Sequence, residues 1–289
     1  QSWVKRYQLR AGDSIKVEEQ GSILKIIAGD AKEETSKTIH AEGLNGRLIA
    51  VNINAAYIAG YREISIVTKT SQLIDTYYTP HLPRNKNHKE KASLYSIITE
   101  ILPAYPGFEI VHHSDTKIVL RELADVKYEE AATVLARQVH LLREMAKRIY
   151  EGIKENTISI EEMYSWEENV NKLSNYYWRI INKGRFPNPY QDICMYLTIF
   201  HLENVADRLY ALARWSAATR KKVSDKDLEK LAATVHVITL LLDIVLRFDK
   251  EKIIEFRRKV YENDDTIIAA VNESKTFTLG ELQALNWIC

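Results

Sequence analysis

The sequence predicts a mainly α-helical protein, in which a long series of helices follows a small α/β segment and a short β-hairpin. Two observations support this prediction. From residue 127 onward strand patterns disappear, and apolar residues recur at helical spacing in one capped segment after another. Before that point, short β-branched runs alternate with helical segments. We therefore divide the chain into residues 1–30, 31–126 and 127–289.

The composition is that of an ordinary globular protein. The chain has 289 residues, of which 46% are hydrophobic and 27% charged, which excludes collagen-like and disordered classes. Forty basic residues oppose 39 acidic ones, so the net charge of +1 provides no general attraction to nucleic acid or anionic lipid. Two cysteines, Cys194 and Cys289, form no C-x-x-C motif and favour a cytoplasmic location. The longest apolar run, about twelve residues, is shorter than the roughly 20 that cross a bilayer, so we expect no membrane insertion.

Residues 1–30 predict a short helix followed by a β-hairpin. Residues 14–17 alternate apolar and polar side chains, residues 20–22 supply a turn, and residues 23–27 form the returning strand. A unit of this size buries too little apolar surface to be stable alone. We therefore expect it to pair with a second copy, which makes the protein a homodimer.

Residues 31–126 predict a small mixed α/β domain. Residues 31–46 are polar and rich in turn signals, so we interpret them as a connection or an edge region. The predicted elements are a helix over 47–59, a strand over 62–69, a helix over 89–102, and a hairpin of strands 109–113 and 117–120.

Residues 127–289 predict six helices with short connections. Their ranges are 128–155, 159–184, about 187–222, 224–248, 250–272 and 278–289. Six antiparallel helices form one bundle or two three-helix bundles end to end. The third helix carries apolar residues around nearly its whole circumference from Ile193 to Leu212, which predicts that it is central and buried.

Two acidic residues of the third helix are the most informative candidates for a site. Glu203 and Asp207 lie one turn apart on one face, where two like charges repel each other. One interpretation is a metal site of carboxylate oxygens, with Glu167 of the second helix as a further ligand. In the other interpretation an arginine neutralises the acids, and the candidates are Arg179, Arg208 and Arg214.

No common enzyme motif occurs in the chain. It contains no G-x-S-x-G, P-loop, G-x-G-x-x-G or H-E-x-x-H sequence. A di-metal carboxylate enzyme of the ferritin-like kind would require Glu-x-x-His pairs, whereas Glu203 has Ala206 at that spacing. We therefore predict that the protein is not an enzyme.

Two helical segments resemble PhoU proteins, the regulators of phosphate uptake. The run LENVADRLYALA, residues 202–213, looks like the family's L-E-R-I-G-D-H helix, with Glu203 and Asp207 at its E-x-x-x-D metal positions. The run EENVNKLSNYYWRIIN, residues 167–182, is similar to the PhoU helix that carries acidic residues before an arginine, although Asn171 replaces one acid. The resemblance implies two three-helix bundles and a divalent metal or iron held by Glu203, Asp207 and Glu167.

The N-terminus resembles a second family. The run QSWVKRYQLRAGDSIKVEEQGSILKII is similar to the second half of an AbrB/SpoVT-type swapped-hairpin domain, which dimerises and binds DNA. That likeness places the domain's first strand before Gln1 and makes Lys5, Arg6 and Arg10 candidate DNA-binding residues.

Together the two resemblances imply a function. They indicate a cytoplasmic, phosphate-responsive regulator of the archaeal PhoU-like kind, acting on transcription, on phosphate transport or on both. Its expected partners are a second copy of the chain, promoter DNA, and a transporter ATPase or signalling protein. The alternative is a helical adaptor that binds a phosphate ABC transporter without recognising DNA.

Overall fold

The computed structural model describes residues 2–6, 9–13, 15–20, 23–28, 35–70, 72–75, 90–184, 189–219 and 223–273. Within these ranges the chain is mainly helical and contains one mixed four-stranded sheet and two two-stranded sheets. None of the helices in these ranges is both long and apolar enough to cross a membrane.

The predicted N-terminal hairpin is confirmed. Helix α1 spans Ser2–Arg6, and strand β1, Ile15–Gln20, pairs antiparallel with β2, Ile23–Ala28. Because side chains alternate between the two faces of a strand, Ile15 and Val17 share one face with Leu24 and Ile26 of the facing strand. All four of these side chains are exposed. The hairpin therefore has an apolar face that the described residues leave open.

The α/β domain is built on a four-stranded sheet. Its strands are β3 (Ser36–His40), β4 (Glu63–Val67), β7 (Phe108–His113) and β8 (Lys117–Glu122). Their order across the sheet is β3-β4-β8-β7. Strands β3 and β4 are parallel and are connected by α2, Gly46–Ile58, whereas β8 is antiparallel to both β4 and β7. Strand β3 forms one edge of the sheet, in agreement with the edge interpretation of residues 31–46.

The helix predicted over residues 89–102 is wrong at its start. Residues Glu90–Ser93 form strand β6, which pairs antiparallel with β5, Gln72–Asp75. Helix α3 then spans Leu94–Ile101, and the Ser93 side chain accepts a hydrogen bond from the Ser96 amide at 3.0 Å. Since this serine caps the helix, it marks the point at which strand pairing ends and the helix begins.

The five long helices predicted after residue 127 are present. They are α4 (Ala131–Glu155), α5 (Ile160–Gly184), α6 (Pro189–Thr219), α7 (Asp225–Leu246) and α8 (Lys250–Glu273). Asn156, in the left-handed region at φ 55°, ends α4. The Ser224 hydroxyl caps the start of α7, where it accepts a hydrogen bond from the Asp227 backbone amide at 3.2 Å. The sixth predicted helix, over 278–289, lies outside the described residues.

Two apolar cores organise the domains. One lies between the sheet and the helices α2 and α3, and its fully buried members include Ile49, Ile53, Ile64 and Leu120. The other lies among α4, α5, α6 and α7, and its buried members include Leu142, Ile180, Ile199 and Leu242. Each core is apolar area removed from water, which is the main favourable contribution to folding.

The prediction that the third long helix is buried on all sides is wrong for its first half. Helix α6 packs against α4 and α5, whereas α7 packs against α4 and α8. Among the described elements, α4 and α5 cover one side of α6, and several large side chains of its first half are exposed. They are Tyr190, Ile193, Tyr196, Leu197 and Phe200.

Candidate functional site

Helices α5 and α6 bring the three predicted carboxylate residues to one seam. The two helices run antiparallel, since the ring of Tyr164 lies 5.9 Å from that of Tyr210 and the ring of Trp178 lies 5.5 Å from that of Tyr196. This pairing places Glu167 of α5 within side-chain hydrogen-bonding contact of Asp207 of α6. Glu203 lies one turn before Asp207. We call Glu167, Glu203 and Asp207 the acidic seam.

The environment of the acidic seam disfavours negative charge. The pKa of Glu167 is raised to about 7: burial is the largest cause, the hydrogen bond from Asn171 opposes it, and the charge of Asp207 adds to it. Burial and the neighbouring Asp207 charge also raise the pKa of Glu203 to about 7. These two carboxyl groups therefore titrate near neutral pH.

The pKa of Asp207 depends on a different balance of effects within the acidic seam. Although the residue is exposed, partial burial of its carboxyl group raises its pKa, whereas the hydrogen bond to Glu167 and the Arg208 charge lower it. The shared hydrogen bond raises the pKa of Glu167 and lowers that of Asp207. The two carboxyl groups therefore titrate as a coupled pair.

Asn171 supplies an additional oxygen beside the acidic seam. Its Nδ2 donates a hydrogen bond to Glu167 Oε1 at 2.6 Å. Its Oδ1 is buried and has no hydrogen-bond partner in the described part of the chain. A buried oxygen without a donor is costly, because the group has lost its hydrogen bonds to water. Within the described residues, this amide thus presents an acceptor without a donor near Glu167.

The three arginines that were candidates for neutralising the acids have different positions. The charge of Arg208 lowers the pKa of Asp207. The guanidinium of Arg214 lies 5.8 Å from the centre of the Tyr210 ring. The expectation that Arg179 neutralises the acidic seam is wrong, because this side chain is completely buried at the contact between α5 and the α/β domain.

The acidic seam has the chemistry that hard cations prefer. Carboxylate and amide oxygens suit magnesium and manganese, and iron is also held by carboxylates in helical bundles. Within the ranges the structure describes, no group of three or more His, Cys, Asp and Glu side chains is already arranged to hold a metal ion. A cation at this position would replace the proton that Glu167 shares with Asp207.

The sequence interpretation missed the most strongly bound charged cluster. Arg179 donates from Nη2 to Glu122 Oε1 at 2.8 Å and to the Tyr61 carbonyl at 2.9 Å, and from Nη1 to the Tyr57 carbonyl. Its guanidinium also lies 4.8 Å from the centre of the Tyr57 ring and 4.9 Å from that of Phe108. These contacts fix the helical domain against the α/β domain.

Further charges complete this cluster. Lys183 donates to Glu122 Oε2 at 2.7 Å and also contacts Asp125, while Arg62 lies 3.3 Å from Asp125 and 3.7 Å from Glu122. We call these four residues, together with Arg179, the interdomain cluster. The sequence contained one signal for it, because a single arginine interrupts the apolar run YYWRII, residues 176–181. A charge in such a run lies inside the protein only when it has partners.

The outer face of α6 is a second feature that the sequence interpretation missed. Tyr190, Ile193, Leu197 and Phe200 recur at three- and four-residue spacing, so they form one stripe along the helix. All four are exposed, and Tyr190 retains 77% of its accessible surface. We call these four residues the outer stripe. Such a continuous exposed apolar surface is typical of protein interaction sites.

The candidate DNA-binding residues lie on the surface. Lys5 and Arg6 end helix α1, and both are exposed, as is Arg10. The Arg10 amide donates to Asp13 Oδ2 at 2.6 Å, which closes the turn before β1. The structure thus leaves the three basic side chains accessible on the same module as the open apolar face of the hairpin.

Comparison of the chain with protein-family models, with curated proteins and with solved structures finds no match in any of the three. The likeness to PhoU proteins rests on residues 167–182 and 202–213, and the likeness to AbrB-type hairpins rests on residues 1–27.

Proposed function

We propose that this chain is a phosphate-responsive regulator of the PhoU type, acting on transcription, on phosphate transport or on both. The observation that carries the proposal is the contact between Glu167 and Asp207. The two residues come from separate PhoU-like segments on two consecutive helices, and the packing of α5 on α6 joins them. In the proposed arrangement, the five long helices and the sixth predicted helix form two three-helix bundles.

The proposed cofactor is a divalent metal or iron at the acidic seam. Glu167, Glu203 and Asp207 would supply carboxylate oxygens, and the unpartnered Oδ1 of Asn171 supports a cation-binding role for the same place. A bound cation would supply positive charge where the surroundings of the carboxyl groups disfavour their ionisation. The protein's own contribution is to hold the three acids on two packed helices.

Elemental analysis tests the metal proposal. Protein purified without chelator is compared with a Glu203→Ala, Asp207→Ala double variant and with a Glu229→Ala, Glu251→Ala control, which removes two exposed acids from α7 and α8. We expect about one or more ions of iron, manganese, zinc or magnesium per chain, lost only in the seam variant. Absence of metal from the wild-type chain, or equal metal in all three proteins, contradicts the proposal.

The regulator is proposed to act through protein surfaces. The outer stripe supports this, because it offers an apolar helix face to a partner, and Glu203 and Asp207 follow it on the same helix. At the N-terminus, the exposed apolar face of the hairpin supports pairing with a second copy. Light scattering at micromolar concentration should give a dimer, and a monomer there would count against the AbrB-like role.

A helical adaptor without DNA recognition is the second candidate, and the outer stripe is the observation that favours it. Two measurements separate the candidates. Changed transcripts on deletion, together with a mobility shift of promoter DNA, support the transcriptional regulator. Co-purification with a phosphate-transporter ATPase without a DNA shift supports the adaptor.

Variants of the outer stripe test the contact with the ATPase. A Leu197→Asp, Phe200→Asp variant should lose the co-purification, because charged side chains are costly to bury in an apolar interface. An Ile254→Asp variant is the matched control, since Ile254 is an equally exposed apolar residue on α8. Loss of the ATPase from both variants, or from neither, would show that the outer stripe is not the contact.

A further inference from the structure

A cleft at the junction of α4, α7 and α8 is lined mainly by charged side chains. Its volume is about 390 Å³, and its lining residues are Arg143, Asp243, Leu246, Arg247, Asp249 and Lys252. A single water molecule fills about 30 Å³ of liquid, so the cleft has room for a small ion together with its waters. Three cations and two carboxylates meet here, which leaves one excess positive charge.

Both acidic residues of the cleft are already engaged by the protein. Asp243 accepts hydrogen bonds from Arg143 Nη2 at 2.5 Å on one oxygen and from Lys252 Nζ at 2.6 Å on the other. Asp249 Oδ1 accepts the backbone amides of Glu251 and Lys252 at 3.0 and 3.2 Å, which caps α8. These contacts neutralise Asp243 and fix the orientation of the Arg143 and Lys252 side chains.

Two donors in the cleft lack an acceptor. Arg143 Nε is buried and has no hydrogen-bond partner among the residues that the structure describes, although Nη2 of the same guanidinium is bound to Asp243. The exposed side chain of Arg247 makes no hydrogen bond or ion pair with the part of the chain that the structure describes. A buried N–H without an acceptor is unfavourable, and an arginine N–H is satisfied best by an oxyanion.

We propose that this cleft binds a small oxyanion of the phosphate class, either free phosphate or a phosphoryl group on a partner's side chain. The Arg247 guanidinium donates to its oxygens, and Arg143 and Lys252, which also line the cleft, contribute their charges. Arginine pairs suit this ligand because a planar guanidinium matches the spacing of phosphate oxygens. This inference rests on the proposed function and deepens it, because it names the ligand class and where that ligand binds.

Titration of the full chain with inorganic phosphate, at constant ionic strength and followed by calorimetry, tests the proposal. We expect saturable binding at one site per chain. Arg247→Gln should weaken it roughly tenfold or more, because a charge-assisted hydrogen-bonding pair is lost. Arg257→Gln is the matched control on α8, since Arg257 is exposed and donates a hydrogen bond to Tyr261. Binding in this control should equal that of the wild type.

Arg143→Gln provides a second variant that should also weaken binding. Because it also removes the ion pair with Asp243, its folding is checked by circular dichroism, whereas the exposed Arg247 can be replaced without disturbing packing. Absence of saturable phosphate binding by the wild-type chain overturns the proposal. Equal affinity of the wild type and the Arg247→Gln variant overturns it as well.

A serine peptide and its phosphoserine form distinguish the two sources of the phosphoryl group. Binding of the phosphoserine peptide that is at least tenfold tighter than that of free phosphate, and sensitive to Arg247→Gln, assigns the cleft to a modified partner. Equal or weaker binding assigns it to free phosphate.

If deletion changes phosphate-dependent transcripts but the chain binds no phosphate, the cleft proposal fails and the regulator stands. If the chain binds phosphate but its deletion changes neither transcripts nor transport, the cleft proposal stands and the proposed regulator fails.

Discussion

The interdomain cluster and the acidic seam show two ways in which this protein surrounds its carboxylates. Glu122, in the interdomain cluster, is almost entirely buried, and Arg179 and Lys183 bind both of its oxygens. In the acidic seam, Glu167 instead meets another carboxylate, that of Asp207. The first arrangement satisfies every charge and joins two domains. In the second arrangement, burial and a neighbouring carboxylate both disfavour ionisation of the acids, and such unfavourable electrostatics are typical of functional sites.

Removing Arg179 should have the largest effect on stability. Arg179→Met leaves Glu122 buried with fewer donors, removes the side-chain donor of the Tyr61 carbonyl, and leaves the Tyr57 carbonyl with only the Gly60 amide among its described donors. We therefore expect a loss of roughly 3–5 kcal/mol in the free energy of unfolding. Urea denaturation measures it. Arg148→Met is the matched control, because its pair with Glu162 is exposed and should contribute less than about 1 kcal/mol. Equal losses would mean that the interdomain cluster is no stronger than a surface pair.

A glycine next to the interdomain cluster allows a second test. Gly107 has φ 84°, its carbonyl accepts the Leu123 amide at 2.8 Å, and a Cβ there would lie 2.8 Å from the Ala124 carbonyl oxygen. We expect Gly107→Ala to cost roughly 3 kcal/mol, because left-handed strain and a backbone clash combine at the end of the strand that carries Glu122.

Gly43→Ala isolates the strain from the clash. Gly43 also has a positive φ, 75°, but a Cβ there would meet nothing within 4 Å. Thermal unfolding should therefore show a cost of about 1 kcal/mol for this variant, from backbone strain alone. A Gly107→Ala variant as stable as Gly43→Ala would indicate that the chain after Glu122 moves freely.

The acidic seam should respond to pH in the opposite direction from a paired carboxylate. Because the pKa values of Glu167 and Glu203 are raised from 4.5 to about 7, the folded state binds more protons than the unfolded state between these values. Stability contributed by these two groups is therefore complete below about pH 4.5 and decreases as the pH rises through 7. Unfolding in the presence of a chelator, at several pH values, should reveal this slope.

Neutral replacements in the acidic seam should remove that slope. At pH 8 and with chelator present, we expect Glu167→Gln, Glu203→Gln to be more stable than the wild type by roughly 1–2 kcal/mol, since one pKa unit corresponds to about 1.4 kcal/mol and solvent screens part of it. At pH 5 the two proteins should be almost equally stable. A double variant that is less stable than the wild type at pH 8 would show that the charges of the acidic seam are compensated.

Local patterns predicted most of the secondary structure, and the exceptions have physical reasons. Capping residues and helical spacing located the five long helices to within a few residues, because both signals lie in neighbouring side chains. Glu90–Ser93 was predicted as helix and is strand β6, because its partner β5 lies elsewhere in the sequence. The exposure of Leu197 and Phe200 was also missed, since apolar residues around a helix do not reveal which sides its neighbours cover.

The sequence by itself determined the classes of residue at the candidate site and the helices that carry them. Its spacing put Glu203 and Asp207 on one face, and the acids of the second helix made Glu167 a candidate partner. Only the tertiary structure decided which charged side chains meet, because the antiparallel packing of α5 on α6 joins Glu167 to Asp207, and the docking of α5 on the α/β domain joins Arg179 to Glu122. Electrostatic contacts depend on distances between elements, and helical periodicity specifies only the faces of single elements.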